Sequence, residues 1–335
     1  MNKKAVILGY FGRGNYGDEI MLQEFIKVYT QSEVALNIIV SGSTNYKQSK
    51  DIKYVDSSDR WSRLVLYFKS NTFIWCGGTC LYSNRGLYSL FFNTILSKLF
   101  GNKIIFYGIG IGEISNSFDK LLIRFILRIS NLIYFRDISS FDKANHIFKS
   151  DNYKIIPDLV NLYDLSKETK TKTNLIINLT KDFDFKYFEL LIGFIKKYEK
   201  EVKEIVLLPA EIGCDGDILT LAKVLDNYKD EFPSMRLSNP KSVSDITEEI
   251  LNAKFYIGMR LHILFICDSL NIPSIAIEYS PKISYYNDEV GGSPNRIVSI
   301  NEKINSDLIR FEDVKEIDKI INKNKKILIN SIKKI

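Results

Sequence analysis

Residues 255–266 read Phe-Tyr-Ile-Gly-Met-Arg-Leu-His-Ile-Leu-Phe-Ile, a β-rich run that turns through a glycine into an apolar helical run. Short β-rich runs followed by helices are typical of parallel sheets with helical layers. The turn after Gly258 therefore predicts a strand end at the edge of a sheet where ligands of open α/β folds bind. Arg260 and His262 interrupt this apolar run, and they are the first candidates for a reactive centre.

The same alternation continues on both sides of this segment. Predicted strands are Ala5–Gly9, Leu36–Val40, Thr72–Trp75, Lys103–Tyr107, Leu132–Phe135, Tyr153–Ile156, Leu175–Leu179, Ile205–Leu208, Phe255–Ile257 and Ser274–Ile277. Predicted helices are Glu19–Tyr29, Leu87–Phe100, Leu121–Ser130, Tyr187–Tyr198, Ile218–Tyr228, Val243–Leu251 and His262–Leu270. We therefore expect an α/β fold of two Rossmann-like lobes that face each other across a cleft.

The length of 335 residues favours two domains, because a single hydrophobic core rarely serves so long a chain. Residues 164–173 form a polar stretch with few apolar side chains and are the predicted linker. We expect an N-terminal lobe over residues 1–163, a C-terminal lobe over residues 174–311 and a C-terminal helix over residues 312–335. Periodicity leaves open whether this last helix crosses back onto the first lobe.

The charge balance restricts the kinds of partner. The chain has 46 Lys and Arg against 40 Asp and Glu, and this net charge of +6 suits anionic small molecules, a bilayer surface or nucleic acid. We expect no nucleic acid partner, because the sequence has no zinc-finger spacing, RNP-type motif or long basic run. The apolar segment Lys120–Phe135, which carries Arg124 and Arg128, fits either a helix packed on a sheet or a peripheral membrane contact.

The N-terminus and the cysteines indicate a cytoplasmic protein. Residues 1–9 lead directly into the first predicted strand without the pattern of a secretory signal, and no run of about 18 residues is free of charge. The four cysteines form no Cys-x-x-Cys pair, as expected of buried thiols in a reducing compartment. We expect a cytoplasmic location, with the inner face of the membrane as a compatible site.

A glycine-rich loop follows the first predicted strand. Residues 9–19 read Gly-Tyr-Phe-Gly-Arg-Gly-Asn-Tyr-Gly-Asp-Glu. This is not a dinucleotide-binding loop, because the carboxylates of Asp18 and Glu19 at the helix start would repel a pyrophosphate. The loop is either a turn capped by Asp18 or an acceptor-binding loop that uses Asn15, Asp18 and Glu19.

Three other strand ends carry glycines or cations. Gly77 and Gly78 mark a place where the backbone approaches a ligand or another part of the fold. Arg136 either pairs locally with Asp137 or binds an anion. Lys282 is either a solvated lysine after a proline turn or an additional positive charge for the pocket of the reactive centre.

Other motifs give weaker signals. Asp182-x-Asp184 and Asp215-x-Asp217 resemble the acidic pairs that hold a metal–nucleotide in some glycosyltransferases, but such pairs are frequent by chance, and we assign them no role. The sequence has no Walker loop, Ser-His-Asp motif or metal-type histidine cluster. Of the two histidines, His146 lies on a polar predicted helix, which leaves His262 as the functional candidate.

Taken together and in order, these loops resemble the polysaccharide pyruvyl transferase family. The matching segments are Gly9-Tyr10-Phe11-Gly12, Asn15-Tyr16-Gly17-Asp18-Glu19, Gly77-Gly78, Gly108-Ile109-Gly110-Ile111-Gly112, Arg136-Asp137 with Ser139-Ser140, Pro157-Asp158, Gly258-Met259-Arg260-Leu261-His262 and Tyr279-Ser280-Pro281-Lys282. The resemblance implies a glycosyltransferase B-like fold. It also implies transfer of pyruvate from phosphoenolpyruvate to two sugar hydroxyls of a cell-surface polysaccharide or its precursor, forming a cyclic ketal and releasing phosphate.

By resemblance, Arg136, Arg260 and His262 match the positions that hold or act on phosphoenolpyruvate, and Lys282 belongs to the same donor site. The first lobe, with Gly77 and Gly78, is then the expected acceptor side, and the second lobe is the expected donor side. The chain departs from the family pattern at Thr79 (usually glycine), Cys80–Asn84 (atypical), Glu113 (usually proline) and Ser280 (usually aspartate). These departures mostly line the expected acceptor side, so the resemblance defines the donor better than the acceptor.

The implied chemistry suits these residue types. Phosphoenolpyruvate carries a carboxylate and a phosphate, which two guanidinium groups such as Arg136 and Arg260 clamp well. His262 is either the general acid for the methylene carbon or only a phosphate ligand. No metal or redox cofactor is required, and a lipid-linked glycan is one compatible acceptor. Two alternatives stay open: a glycosyltransferase B-type enzyme that uses a sugar nucleotide, and a non-catalytic protein that binds carbohydrate or an anion.

Overall fold

The computed structural model of the chain describes residues 4–32, 35–40, 51–165, 171–181, 183–211, 215–299, 311, 314 and 317–335. The chain forms two compact units, each built on a parallel β-sheet. The first unit comprises Met1–Arg13, Asp18–Tyr163 and Lys323–Ile335, and the second comprises Gly14–Gly17 and Asp164–Asn322. A short piece of the glycine-rich loop thus belongs to the second unit, and the end of the chain belongs to the first.

The sheet of the first unit contains β1 (Lys4–Leu8), β2 (Ala35–Val40), β3 (Ile52–Asp56), β4 (Thr72–Cys76), β5 (Thr79–Leu81), β6 (Lys103–Ile111), β7 (Leu132–Phe135) and β8 (Tyr153–Ile155). The strands pair in the order β3-β2-β1-β4-β6-β7-β8, with β5 alongside the end of β6, and every pair is parallel. Its helices are α1 (Tyr16–Tyr29), α2 (Arg60–Lys69), α3 (Arg85–Leu99), α4 (Ser117–Ile129) and α5 (Ile138–Ile147). Because helices cover both faces of a parallel sheet, its central strands are continuous apolar runs.

The second unit has the same construction. Its strands are β9 (Asn174–Asn178), β10 (Glu204–Leu207), β11 (Met235–Leu237), β12 (Ala253–Gly258), β13 (Ser274–Glu278) and β14 (Ile297–Ser299), in the parallel order β11-β10-β9-β12-β13-β14. Its helices are α6 (Phe188–Tyr198), α7 (Asp215–Tyr228), α8 (Val243–Leu251), α9 (Leu261–Ser269) and α10 (Lys282–Glu289). The last helix, α11 (Ile317–Ile332), starts in the second unit, and its residues from Lys323 onward belong to the first.

The helices of the first unit are divided between two hydrophobic cores. One core contains α1 and the end of α11, where Leu328 and Ile332 are buried. The other contains buried side chains of α2 to α5, such as Tyr67 and Ile123. Alternate residues of the central strands contribute to one core or the other, as the two-residue period of a strand requires. The two groups of helices therefore cover opposite faces of one sheet.

The predicted α/β architecture with parallel sheets is confirmed. All ten predicted strands occur within a few residues of their predicted bounds, and β7 has the bounds predicted for it. The sequence pattern did not predict β3, β5, β11, β14, α2 or α10, whereas the polar helix predicted around His146 occurs as α5. The strand β3 is a half-exposed edge with a weak apolar pattern, and β5, β11 and β14 have only three residues each.

Candidate functional site

Arg260 lies at the turn between β12 and α9, where the sequence predicts a strand end. It has extended backbone angles and immediately precedes Leu261, the first residue of α9. Asn178, which is fully buried at the end of β9, accepts the N–H of Arg260 (3.2 Å) and donates to the carbonyl of Leu208 (2.8 Å). One buried amide therefore joins the ends of β9, β10 and β12 and fixes the backbone that carries Arg260.

Gly258, the first residue of the motif, leaves room for a tyrosine. An ideal Cβ atom on Gly258 would lie 2.1 Å from Oη of Tyr256. This hydroxyl donates to the carbonyl oxygen of Arg260 (3.4 Å). Burial raises the pKa of Tyr256 well above its usual range, so the phenol is a neutral donor at physiological pH. The glycine thus allows a buried tyrosine to brace the turn.

The guanidinium group of Arg260 is held by two carboxylates. Nη2 donates to Oδ1 of Asp217 (2.8 Å) and Oε1 of Glu211 (2.7 Å), and Nε donates to Oδ2 of Asp217 (3.2 Å). The side chain of Asp217 is 0% exposed, that of Arg260 20% and that of Glu211 26%. Burial disfavours the charged guanidinium, but the charges and hydrogen bonds of Asp217 and Glu211 outweigh this effect and raise the pKa of Arg260. Nη1 makes no hydrogen bond to any described residue.

Glu211 lies in the connection between β10 and α7, and Asp217 lies in the first turn of α7. The sequence alone did not indicate either role. Asp217 also accepts the N–H of Ala210 (3.3 Å). The sequence shows Asp217 only as the second residue of the pair Asp215-x-Asp217, to which we assigned no role. Asp217 and Arg260 are 43 positions apart in the chain, so the sequence gives no sign of their ion pair. The position of Glu211 just beyond a strand end is the one signal that predicts a place at the same sheet edge.

Residues 14–17 of the glycine-rich loop pack within the second unit, beside Glu211. Asn15 and Glu211 form an isolated antiparallel bridge, and the N–H of Tyr16 donates to the carbonyl of Ala210 (3.0 Å). Tyr16 is buried, and its hydroxyl group is hydrogen-bonded to that of Thr247 (2.9 Å). Asn15, a predicted acceptor-binding residue, therefore lies in the same unit as Arg260.

His262 lies against the backbone of Gly17. An ideal Cβ atom on Gly17 would lie only 1.8 Å from Nδ1 of His262, so any larger residue at position 17 would displace the imidazole. His262 is half-buried in the first turn of α9. We refer to Asn15, Gly17, Glu211, Arg260 and His262 as the Arg260–His262 cluster. It combines two motifs that are far apart in the sequence.

The start of α1 corrects one sequence interpretation. The helix begins two residues before Asp18, so Asp18 lies in its first turn and is not the N-cap. The side-chain oxygen of Asn15 instead accepts the N–H of Gly17 (3.1 Å). Glu19 is buried in the first unit, and its carboxylate accepts the N–H of Gly12 (2.7 Å). Glu19 therefore closes the glycine-rich turn.

Arg136 lies in the first unit, at the end of β7, and has partners there. Nη2 donates to Oγ1 of Thr79 (2.9 Å), and Nη1 donates to Oδ2 of Asp158 (3.4 Å). Nε lies 3.9 Å from Oδ2 of Asp137, so the local pair considered from the sequence is the longest of the three contacts. Asp137 serves instead as the N-cap of α5. Thr79, one of the departures from the family pattern, thus contacts a predicted donor-site residue.

Three further predicted site residues, Gly77, Gly78 and Lys282, are not part of the Arg260–His262 cluster. Gly77 and Gly78 have positive φ angles of 71° and 75°, which glycine adopts without strain, and they turn the chain from β4 into β5. Lys282 is exposed and is the first residue of α10 in the second unit. Among the described residues, no group of three or more His, Cys, Asp and Glu side chains is placed to hold a metal ion.

The model of the family described as polysaccharide pyruvyl transferase matches residues 15–281, from Asn15 of the cluster to the segment after β13. The chain belongs to the polysaccharide pyruvyl transferase family. Membership in this family supports a transferase that modifies a polysaccharide. No curated protein matches the chain.

Solved structures with a similar fold are distant in sequence. A glycosyltransferase from Rickettsia africae has 13% identity and a TM-score of 0.58, over 99% of this chain and 93% of that one. MurG from Acinetobacter baumannii has 8% identity and a TM-score of 0.51, over 99% of this chain and 100% of that one. UDP-GlcNAc 2-epimerase from Methanocaldococcus jannaschii has 12% identity and a TM-score of 0.57, over 98% of this chain and 93% of that one. At these identities the likeness shows the fold alone, which is glycosyltransferase B-like as expected.

Proposed function

We propose that the protein transfers pyruvate from phosphoenolpyruvate to two hydroxyl groups of a sugar, forming a cyclic ketal and releasing phosphate. The sugar belongs to a cell-surface polysaccharide or its precursor. Family membership over residues 15–281 supports this reaction class. The observation that carries the proposal is the Arg260–His262 cluster, which places a charged guanidinium group beside a strand end, where parallel sheets bind ligands.

Arg260 is the proposed anchor for an anionic group of phosphoenolpyruvate, through Nη1. Its two carboxylate partners hold Nε and Nη2, so the guanidinium group is already oriented before the ligand binds. Two carboxylates more than cancel one guanidinium charge, so the donor needs further cations. We assign this part to Arg136, to Lys282 and to the protonated imidazole of His262.

His262 is the proposed general acid. Its proton forms a C–H bond with the methylene carbon as the double-bond electrons of phosphoenolpyruvate are used, and the adjacent carbon becomes oxocarbenium-like. One sugar hydroxyl bonds to that carbon, and phosphate leaves with the electrons of its C–O bond. The second hydroxyl then closes the ring. The two hydroxyl protons balance the reaction, since one restores the imidazolium and the other goes to phosphate.

The proposed acceptor contacts are Asn15, directly before α1, and Asp18, in its first turn. Glu19 contributes by closing the glycine-rich turn through its bond to the backbone. Gly77 and Gly78 contribute by shaping the connection from β4 to β5 on the expected acceptor side. A lipid-linked glycan is one acceptor that fits the proposal.

The deciding experiment measures phosphate release from phosphoenolpyruvate with a panel of acceptors that contain galactose, glucose or N-acetylmannosamine, and identifies the ketal by mass spectrometry. A parallel assay supplies sugar nucleotides, because the fold is shared with glycosyltransferases. Turnover with a sugar nucleotide alone would replace the proposal with sugar transfer. Binding of phosphoenolpyruvate without turnover on any acceptor would favour a non-catalytic role. A His262→Gln variant with normal turnover would remove the acid role of His262.

A further inference from the structure

The outer surfaces of α2, α3 and α4 expose an unusual number of large apolar side chains. Of the 16 such side chains that are exposed among the described residues, ten lie on these helices or on Phe100 directly after α3. The most exposed are Trp61 at 78% and Leu99 at 77%. Phe68, Phe92 and Leu121 are also well over half exposed. We call this surface, the solvent side of α2, α3 and α4, the apolar–basic face.

Packing on the sheet does not account for these residues. The inner surfaces of the same helices already fill the core under the sheet, through buried side chains such as Tyr67, Leu90 and Ile126. The three helices are therefore apolar on both sides. Contiguous exposed apolar patches on a protein surface usually mark an interaction site when they are large.

Aromatic contacts make the face continuous from one helix to the next. Phe68 of α2 meets Phe100 at the end of α3, with ring centroids 5.7 Å apart. Tyr88 of α3 meets Phe118 of α4 with ring centroids 6.3 Å apart. The apolar residues thus form one surface that crosses all three helices.

The charged residues of these three helices are basic with one exception. The sequences of α2, α3 and α4 contain eight Lys and Arg residues and one acid, Asp119. Asp119 is buried and accepts hydrogen bonds from Tyr88 and Asn116. The three helices therefore carry +7, whereas the whole chain carries +6 from 46 basic and 40 acidic residues, so everything else sums to −1. A net charge of +7 therefore coincides with the exposed apolar side chains.

We propose that the apolar–basic face docks the protein on the surface of an anionic lipid bilayer. Exposed Trp, Phe and Leu beside Lys and Arg are the combination that inserts into the headgroup region and attracts acidic lipids. On α4, Lys120, Arg124 and Arg128 repeat every four residues and form one basic stripe. A second copy of the chain is a poor occupant, because two such faces would bring like charges together. Among the described residues, no helix is long and apolar enough to cross a membrane.

The protein contains its own probe for the test. Trp61 and Trp75 are the two tryptophans, and Trp75 is buried whereas Trp61 is exposed on the face. The full-length protein is mixed with vesicles of phosphatidylcholine alone or of phosphatidylcholine with phosphatidylglycerol. We expect flotation and a blue shift of tryptophan emission only with the anionic vesicles. The shift should vanish in Trp61→Phe, which keeps an aromatic side chain. Absence of binding to anionic vesicles at low salt overturns the proposal.

Charge-reversal variants test whether the vesicles bind the apolar–basic face or are attracted to any basic part of the protein. Lys120→Glu, Arg124→Glu and Arg128→Glu together should weaken binding to anionic vesicles by at least about tenfold. The matched control reverses Lys323, Lys326 and Lys333, which are exposed at the chain end that packs on the other side of the sheet. Equal losses in the two triple variants contradict the proposal. A dimer in sedimentation equilibrium that Phe68→Ser and Phe92→Ser dissociate also contradicts it, since a second copy then covers the face. These measurements do not depend on the proposed reaction.

Discussion

Gly17 makes room for His262: an ideal Cβ atom at position 17 would lie 1.8 Å from Nδ1 of the imidazole. The backbone angles at position 17 do not require a glycine, because Gly17 is not among the residues with positive φ. The absence of a side chain is required instead, because the imidazole of His262 occupies that space. The two family motifs that contain these residues, one after β1 and one after β12, therefore depend on each other for their geometry.

The first prediction concerns Gly17→Ala. A methyl group here must push the imidazole away, and displacement of a catalytic group by about 1 Å costs roughly 100-fold in rate. We expect kcat for ketal formation to fall by about this factor, with a loss of about 1–3 kcal/mol in the free energy of unfolding from overpacking. Gly193→Ala is the matched control, because a Cβ atom at Gly193 meets nothing within 4 Å.

A double-variant cycle tests the cause of this effect. If the clash is with His262, Gly17→Ala should cost little stability in a His262→Ala background, where the imidazole is gone. Urea unfolding of the four proteins gives the coupling free energy. Additive losses would show that the alanine acts on something other than the imidazole.

The second prediction concerns the carboxylates that hold Arg260. Asp217→Asn leaves the guanidinium group with Glu211 as its remaining ionic partner, and we expect a loss of about 1–3 kcal/mol in the free energy of unfolding. Glu211→Gln should cost less, because that side chain is partly exposed. The control is Glu231→Gln at the exposed pair with Lys196, where a change within about 0.5 kcal/mol is expected. A larger loss at Glu231 than at Asp217 would contradict this account.

The sequence predicts the strand ends well because buried parallel strands leave continuous apolar runs. The position of Arg260 and His262 after β12 follows from that pattern. Asp217 and Glu211 do not follow from it. Their ion pairs join them to Arg260 across 43 and 49 positions of the chain, and a single sequence contains no such pairing. The packing of residues 14–17 with the second unit is equally a tertiary contact. The helix α2 was also missed, and it is short, with only ten residues.

The third prediction concerns three cysteines. Cys76, Cys80 and Cys267 are buried and free. Burial raises the pKa of each thiol, so little reactive thiolate exists at neutral pH, and access is blocked as well. We expect iodoacetamide to leave all three unmodified in the native protein at neutral pH and to modify all three after unfolding in urea. Peptide mass spectrometry assigns each site, and rapid native labelling of any of the three contradicts the prediction.

The fourth prediction concerns a buried ion pair that anchors α9, the helix that carries His262. Arg296 and Asp268 are both 0% exposed and form two hydrogen bonds of 2.6 and 3.1 Å. Asn287 accepts from Nε of Arg296, and Tyr286 donates to Asp268. Arg296→Met alone leaves a buried charge without its cation and should cost about 3–5 kcal/mol of unfolding free energy.

The control for this pair replaces both charges. Arg296→Met with Asp268→Leu should recover much of the loss, because well-packed apolar residues often replace a buried ion pair at little cost. Chemical unfolding of the single and double variants measures the recovery. A double variant as unstable as Arg296→Met would show that the surrounding hydrogen bonds, rather than the isolated charge, dominate.

The fifth prediction concerns Thr79, where the family usually has glycine. Its hydroxyl accepts a hydrogen bond from Nη2 of Arg136, whereas Asp158 binds Nη1 at a longer distance. Thr79→Val keeps the shape and removes the acceptor, so the guanidinium group loses its shortest restraint. If Arg136 contacts phosphoenolpyruvate as proposed, KM for this donor should rise several-fold while kcat changes little, since binding rather than the proton transfer is affected. Thr30→Val is the control, because its hydroxyl bonds only to the helix carbonyl of Ile26 among the described residues. A fall in kcat with an unchanged KM would place Arg136 in the chemical step instead, and no change in either would remove it from the donor site.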